Sequence, residues 1–156
     1  FNLIEPNVLR AVDARVGFFA VKVNEATAEL LADELKEGLT NGETIDQIAK
    51  RIDKVFDYSE KFRSIRTART EVIGANNAGQ LQVYAEAGIE FKQWITARDE
   101  KVRLSHQIDG QTVKIGEDFV TNLGNHLQYP GDRTGSAPPD DLINCRCSLI
   151  AVRTKE

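Results

Sequence analysis

The 156-residue sequence contains no methionine, one tryptophan, two histidines and two cysteines. Each scarcity removes a class of protein. Cys145 and Cys147 are the whole cysteine complement, and a bridge between residues two apart closes too small a loop to constrain the unfolded chain, so a disulfide scaffold is excluded. Free thiols or metal ligands are left. No apolar run approaches the ~18 residues of a membrane span, and residues 1–6 lack the basic and apolar regions of a signal peptide. A soluble, unexported protein is expected. Without methionine, Phe1 is not expected to be a translation start, which implies a longer product, trimmed or only partly represented. No phosphate-cradling glycine loop, serine nucleophile elbow or zinc-binding His-Glu-x-x-His helix occurs.

Nor does one sign of charge dominate. The net charge is −4, with 11 basic and 14 acidic residues up to Gly88 and 9 and 10 after it, so no general field draws in nucleic acid or an acidic membrane. What is present is ordinary: 41% hydrophobic and 28% charged residues, the balance of a globular domain. A chain of this length buries roughly two-thirds of its unfolded surface, enough for a core without a metal.

The first 88 residues read as helices. Pro6 starts one with Val8, Val12, Val16 and Phe19 inward, although Phe19, Val21 and Val23 also alternate like an extended segment. Asn24 caps a second, whose Ala26, Leu30, Leu31, Leu35 and Leu39 recur at helical steps until Asn41-Gly42. Thr44-Ile45-Asp46-Gln47 is a capping box opening a third, with Ile45, Ile48, Ala49, Ile52, Val55 and Phe56 buried. From Ser59 a long helix is expected to about Ala87, closed by Gly88 in the left-handed region. Gly74 and Gly79 inside it cost roughly 1 kcal/mol each relative to Ala, which implies close packing against a neighbour.

After Gly88 the period changes to two. Residues 89–96 alternate as a strand, Asp109-Gly110 signals a hairpin turn before a short strand over 111–115, and residues 145–152 form a last strand. Between them, residues 121–141 hold three Gly, three Pro and little periodicity, a length of loop that is functional or mobile. The expected fold is α+β: a helical region over 1–88 with a long central helix, then a small lobe over 89–156 with a few antiparallel strands and a long loop, the 59–87 helix being shared between them if the domain is continuous.

All four His and Cys residues, His106, His126, Cys145 and Cys147, fall in the last third. Two cysteines two apart on a strand face the same side, so both thiolates can meet one zinc ion; the alternative is a pair of buried, reduced core cysteines. His106 and Asp109 are spaced for an acid/base pair or for metal binding, while Asp before Gly is also simply a turn. Arg63, Arg66 and Arg69 share a helix face suited to phosphates or a partner's carboxylates, or else to solvent. Arg69-Thr70-Glu71 and Asn77, two turns apart, are a group of hydrogen-bonding side chains able to orient a neighbouring loop.

Taken in order, Ala68-Arg69-Thr70-Glu71, Asn77-Ala78-Gly79, Tyr84, Gly88, Trp94, Asp99, Arg103, His106, Asp109-Gly110, Tyr129-Pro130-Gly131-Asp132 and Asn144-Cys145-Arg146-Cys147 resemble the phage Mu F-like minor head protein family, over about residues 68–151. The resemblance implies a minor capsid protein of a tailed phage or prophage with a structural role in head morphogenesis near the portal, and no catalytic residues. Its partners would be portal, scaffold or major capsid protein, with phage DNA as a further contact and neither membrane nor small-molecule substrate. It would reside in the virion head, and in the host cytoplasm during assembly. The resemblance also singles out Arg69, Thr70, Glu71, Asn77, His106, Asp109, Cys145 and Cys147 as motif positions and leaves His126 outside, so the ligand set for zinc becomes His106, Cys145, Cys147 and Asp109. Two other functions compete: a small metal-dependent nuclease or hydrolase centred on His106 and Asp109, and a DNA-binding head protein using Arg63, Arg66 and Arg69.

Overall fold

Apolar residues at three- and four-residue steps fix the first half of the molecule. The computed structural model describes residues 6–19, 25–56, 61–135 and 137–153. Four helices come first: α1 (Pro6–Phe19), α2 (Glu25–Thr40), α3 (Ile45–Phe56) and α4 (Lys61–Glu86). Asn24 and Ser59, expected as caps, and Val21 and Val23 lie outside the described residues. Val8 and Val12 of α1, Leu31, Leu35 and Leu39 of α2, Ile48 and Ile52 of α3 and Ala68, Val72 and Ala75 of α4 make one buried cluster. The capping box before α3 forms in both directions: Thr44 N–H donates to Gln47 Oε1 at 2.8 Å and Gln47 N–H to Thr44 Oγ1 at 3.3 Å. Arg51 of α3 reaches Glu34, Glu37 and Glu43, clamping α3 to α2. Gly88 ends the helical half at φ +68°.

The glycines of α4 do admit a close neighbour. A Cβ on Gly79 would lie 2.7 Å from the Val8 backbone nitrogen, and one on Gly74 would overlap the Arg15 guanidinium. Thus α1 crosses α4 at contact distance, and Arg15 lies flat against the helix where Gly74 leaves room.

The lobe is built on three antiparallel strands in the order β2-β1-β5, where β1 is Phe91–Ile95, β2 is Thr112–Lys114 and β5 is Ser148–Val152. Register pairs Gln93 with Thr112 on one side and with Ile150 on the other. A small ladder, β3 (Phe119–Val120) with β4 (His126–Leu127), and a single helical turn, α5 (Pro139–Leu142), complete it. Trp94, Phe119, Leu127, Leu142, Cys145 and Cys147 form a second buried cluster. This is an α+β arrangement, as the change of period predicts.

Three expectations need correction. Asp109-Gly110 does turn the chain, with Gly110 at φ +84°, but it does not join two paired strands. β1 leaves for an excursion through a one-turn 3-10 helix (Leu104–His106) before β2 returns to it. Residues 121–141 are not a free loop: they contain β4 and α5, and Pro130, Gly131 and Asp132 are buried. Asp132 accepts hydrogen bonds from Gln128 N–H, Thr134 N–H and Thr134 Oγ1 at 2.6–2.8 Å, which replaces regular pairing by side-chain pinning. Finally, Cys145 and Cys147 precede β5 rather than lying in it.

Candidate functional site

Trp94 on the buried face of β1 organises the lobe interior. One edge of its ring system meets Phe119 (centroids 5.2 Å apart, planes at 78°) and another meets His106 (5.1 Å, 77°), so the imidazole is clamped in a T-shaped contact. His106, 1% exposed, closes the 3-10 turn. The cysteines reach it because Asn144 takes φ +59°, folding the chain so that both thiols turn inward ahead of the strand. Cys145 Sγ lies 3.5 Å and Cys147 Sγ 3.7 Å from His106 Nδ1, and all three donor atoms lie within 4.8 Å of one another. The Cys147 N–H also points at Cys145 Sγ, 3.4 Å away.

Long helix α4 fixes this segment from behind. Thr70 Oγ1 accepts from Asn144 N–H at 2.8 Å and Arg69 donates to Asn144 Oδ1 at 2.5 Å. Asn77 Nδ2 donates to both Pro130 O (2.9 Å) and Cys147 O (3.0 Å), joining the two irregular segments to one another. Glu71, 1% exposed, is gripped by Arg15 Nε at 3.1 Å and by Arg133. Arg15 continues to Gly131 O at 2.7 Å. Burial pushes the Glu71 carboxyl above its usual range and the two guanidinium groups pull it back down.

The two thiols are unequal. Hydrogen bonding from Cys147, then from His106, holds the Cys145 thiol well below the usual range despite its burial, whereas bonding to Cys145 and burial push Cys147 up. On the far side of the imidazole, Asp141 Oδ1 stands 3.9 Å from Nε2, and Asp141 is itself held by Ser105 Oγ and Asn125 Nδ2, each at 2.6 Å.

The motif residues therefore divide between two neighbouring groups. Arg69, Thr70, Glu71 and Asn77 dock α4 onto the lobe; His106, Cys145 and Cys147 converge inside it. Asp109 joins neither. Its carboxylate accepts from Thr96 N–H (2.7 Å), Thr96 Oγ1 (3.2 Å) and Arg98 Nε (3.0 Å), and it is not among the donor atoms that converge with His106. Those bonds, led by the Thr96 amide, hold it below the usual carboxylate range. His126 is exposed beside Asp118 at 3.6 Å. The basic stripe is not a uniform array: Arg66 is exposed, Arg69 turns to Asn144, and the side chain of Arg63 lies outside the described residues.

Sequence reasoning missed Arg15 and Asp141. Arg15 had a readable signal, since Val8, Val12 and Arg15 follow helical steps and put a cation in an apolar stripe. Asp141 had none, being one acid in a run of polar and proline residues.

A pocket with room for little more than a water molecule leads from the surface to His106, Cys145 and Cys147, between Arg103, Asn144 and Arg146. Two thiols and an imidazole are donors that suit zinc rather than magnesium or calcium. An α+β module whose polar motif locks a lobe onto a long helix is the class of protein this geometry defines. The family model described as phage Mu protein F like protein matches residues 29–150, and the chain belongs to that family. The match reaches well upstream of Ala68, into α2, so more of the helical half is family structure than the motif string alone conveys. An uncharacterized protein of Bacillus subtilis (strain 168), YqbB, is 28% identical over 131 residues, covering 81% of this chain. The chain spans 42% of that relative's length. No solved structure matches. Among the described residues no helix is long and apolar enough to cross a membrane.

Proposed function

We propose that the chain is the assembly module of a minor head protein, acting through protein contacts at the portal during procapsid assembly and not through catalysis. The observation that carries this reading is the direction of the motif residues: Thr70 and Asn77 bind lobe main chain, Glu71 is paired with Arg15 and Arg133, and both cysteines meet His106 Nδ1, all of them inside the protein. Such a motif specifies a rigid body. A reactive cleft would instead leave polar groups converging on open space of substrate size, and the pocket beside His106 holds about one water.

A rigid body suits a component that must present fixed surfaces to portal, scaffold or major capsid protein. The lobe offers apolar side chains for this, with Leu104, at the start of the 3-10 turn, 75% exposed and Leu123 72% exposed, the two segments linked through the Asn122 side chain, which donates to Leu104 O at 3.0 Å. The parent phage or prophage carrying a tagged copy of the full protein tests the reading. Purified heads and portal complexes are expected to retain the protein, and a Leu104→Asp/Leu123→Asp variant with a normal circular dichroism spectrum is expected to be depleted from them. Absence of the unaltered protein from both preparations would sink the proposal.

A further inference from the structure

We propose that His106 Nδ1, Cys145 Sγ and Cys147 Sγ are the three protein ligands of a zinc-class metal ion that closes the lobe. Zinc sits about 2.3 Å from thiolate sulfur and about 2.0–2.1 Å from imidazole nitrogen in tetrahedral sites, which sets sulfur and nitrogen ligands about 3.6 Å apart. The two sulfur–nitrogen separations here are 3.5 and 3.7 Å. Ordinary core cysteines have no reason to share one ring nitrogen at that spacing.

The surroundings of the imidazole carry the argument further. Nε2 is buried and makes no hydrogen bond, an expensive state for a polar atom. Coordination through Nδ1 fixes the tautomer, puts the proton on Nε2 and aims it at Asp141 Oδ1. Asp141 cannot turn away, since Ser105 and Asn125 hold both of its oxygens. A carboxylate behind a ligating histidine is the usual outer partner of a metal site, so Asp141 is a positioning residue for His106. The sulfur side is prepared in the same way: the Cys147 amide points at Cys145 Sγ.

Closure at this point joins the 3-10 turn after β1 to the segment entering β5, the two ends of the lobe's irregular stretch. Metal binding there contributes directly to folding of the lobe.

The test uses the full chain expressed in zinc-supplemented medium and purified without chelators. Elemental analysis is expected to find about one zinc per chain. Replacement by Co(II) is expected to give thiolate-to-cobalt charge-transfer absorption and the visible bands of a tetrahedral ion. Cys145→Ser and Cys147→Ser are expected to weaken metal binding at least tenfold, Asp141→Asn about tenfold, while Asp109→Asn and His126→Gln leave it unchanged. Because ligand variants are at risk of misfolding, thiol labelling of the unaltered protein with and without zinc supplies a second reading, with protection by zinc expected. Folded protein that carries no zinc, gives no charge-transfer band with Co(II) and labels equally in both conditions would overturn the site. That result would leave the head-assembly reading standing, and loss of the protein from heads would leave the metal site standing.

Discussion

Glu71 is a buried anion shared by two cations from distant parts of the chain, Arg15 of α1 and Arg133 of the lobe. Removing one member of such a group leaves the others buried without compensation, so Glu71→Gln is expected to cost about 3–5 kcal/mol, read as a lower urea midpoint. A loss under about 1 kcal/mol would mean that water reaches the arginines. Lys92 gives a prediction in pH. Its ammonium is buried against the Phe119 ring, 5.2 Å from the centroid, and donates to Gln128 O at 2.8 Å. Burial lowers its pKa from 10.5 to about 8, against the opposing pull of Asp118, Asp132 and Glu117. Between those two values the unfolded chain binds more protons than the folded one, so this group's contribution to stability rises with pH from about 8 to 10.5. Urea titrations across that range are expected to show the rise in the unaltered protein and a flatter profile in Lys92→Met. Lys92 also explains a limit of sequence reading: alternation identifies a strand over residues 89–96 without saying which face is buried, and here the cation lies inward beside Trp94.

Helices were legible because their signals are local. Thr44 and Gln47 satisfy each other's backbone donors across three residues, and the apolar steps of α1 to α4 need no knowledge of the partner. The lobe was less legible because its elements are made by distant partners. Trp94 pairs with Leu149, β3 and β4 have two residues each, and the turn that brings the cysteines to His106 depends on Thr70 binding the Asn144 amide. The candidate ligands could be named from residue type, but Asp109 could not be separated from Asp141 until Thr96 and Arg98 were seen to hold it. Packing at α1 and α4 gives the prediction for this scale. In an open helix Gly→Ala stabilises by about 1 kcal/mol, whereas at Gly79 the added methyl would meet the Val8 backbone at 2.7–2.9 Å. Gly79→Ala is therefore expected to lower the melting temperature, and a rise would show that α1 can withdraw from α4 at little cost.

Two apolar clusters, one among the helices and one around Trp94, are held together across a polar seam made of Arg15, Thr70, Glu71 and Asn77 on one side and Gly131, Arg133, Asn144 and Cys147 on the other. Clusters of this size unfold independently unless their boundary is worth more than either can lose alone, and this boundary consists of buried hydrogen bonds and ion pairs whose rupture leaves unpaired groups. The helical half and the lobe are thus expected to unfold as one unit. The sequence has a single tryptophan, Trp94, inside the lobe cluster, so its fluorescence follows the lobe while circular dichroism at 222 nm follows mainly the helices. In the unaltered protein the two urea curves are expected to coincide, the signature of a two-state transition. Arg15→Ala cuts the seam at Glu71, Thr70 and Gly131 together without touching the lobe cluster, and is expected to separate the curves, fluorescence changing at lower urea than circular dichroism. Separate curves in the unaltered protein would mean that the seam only orients the lobe and that each half supports itself.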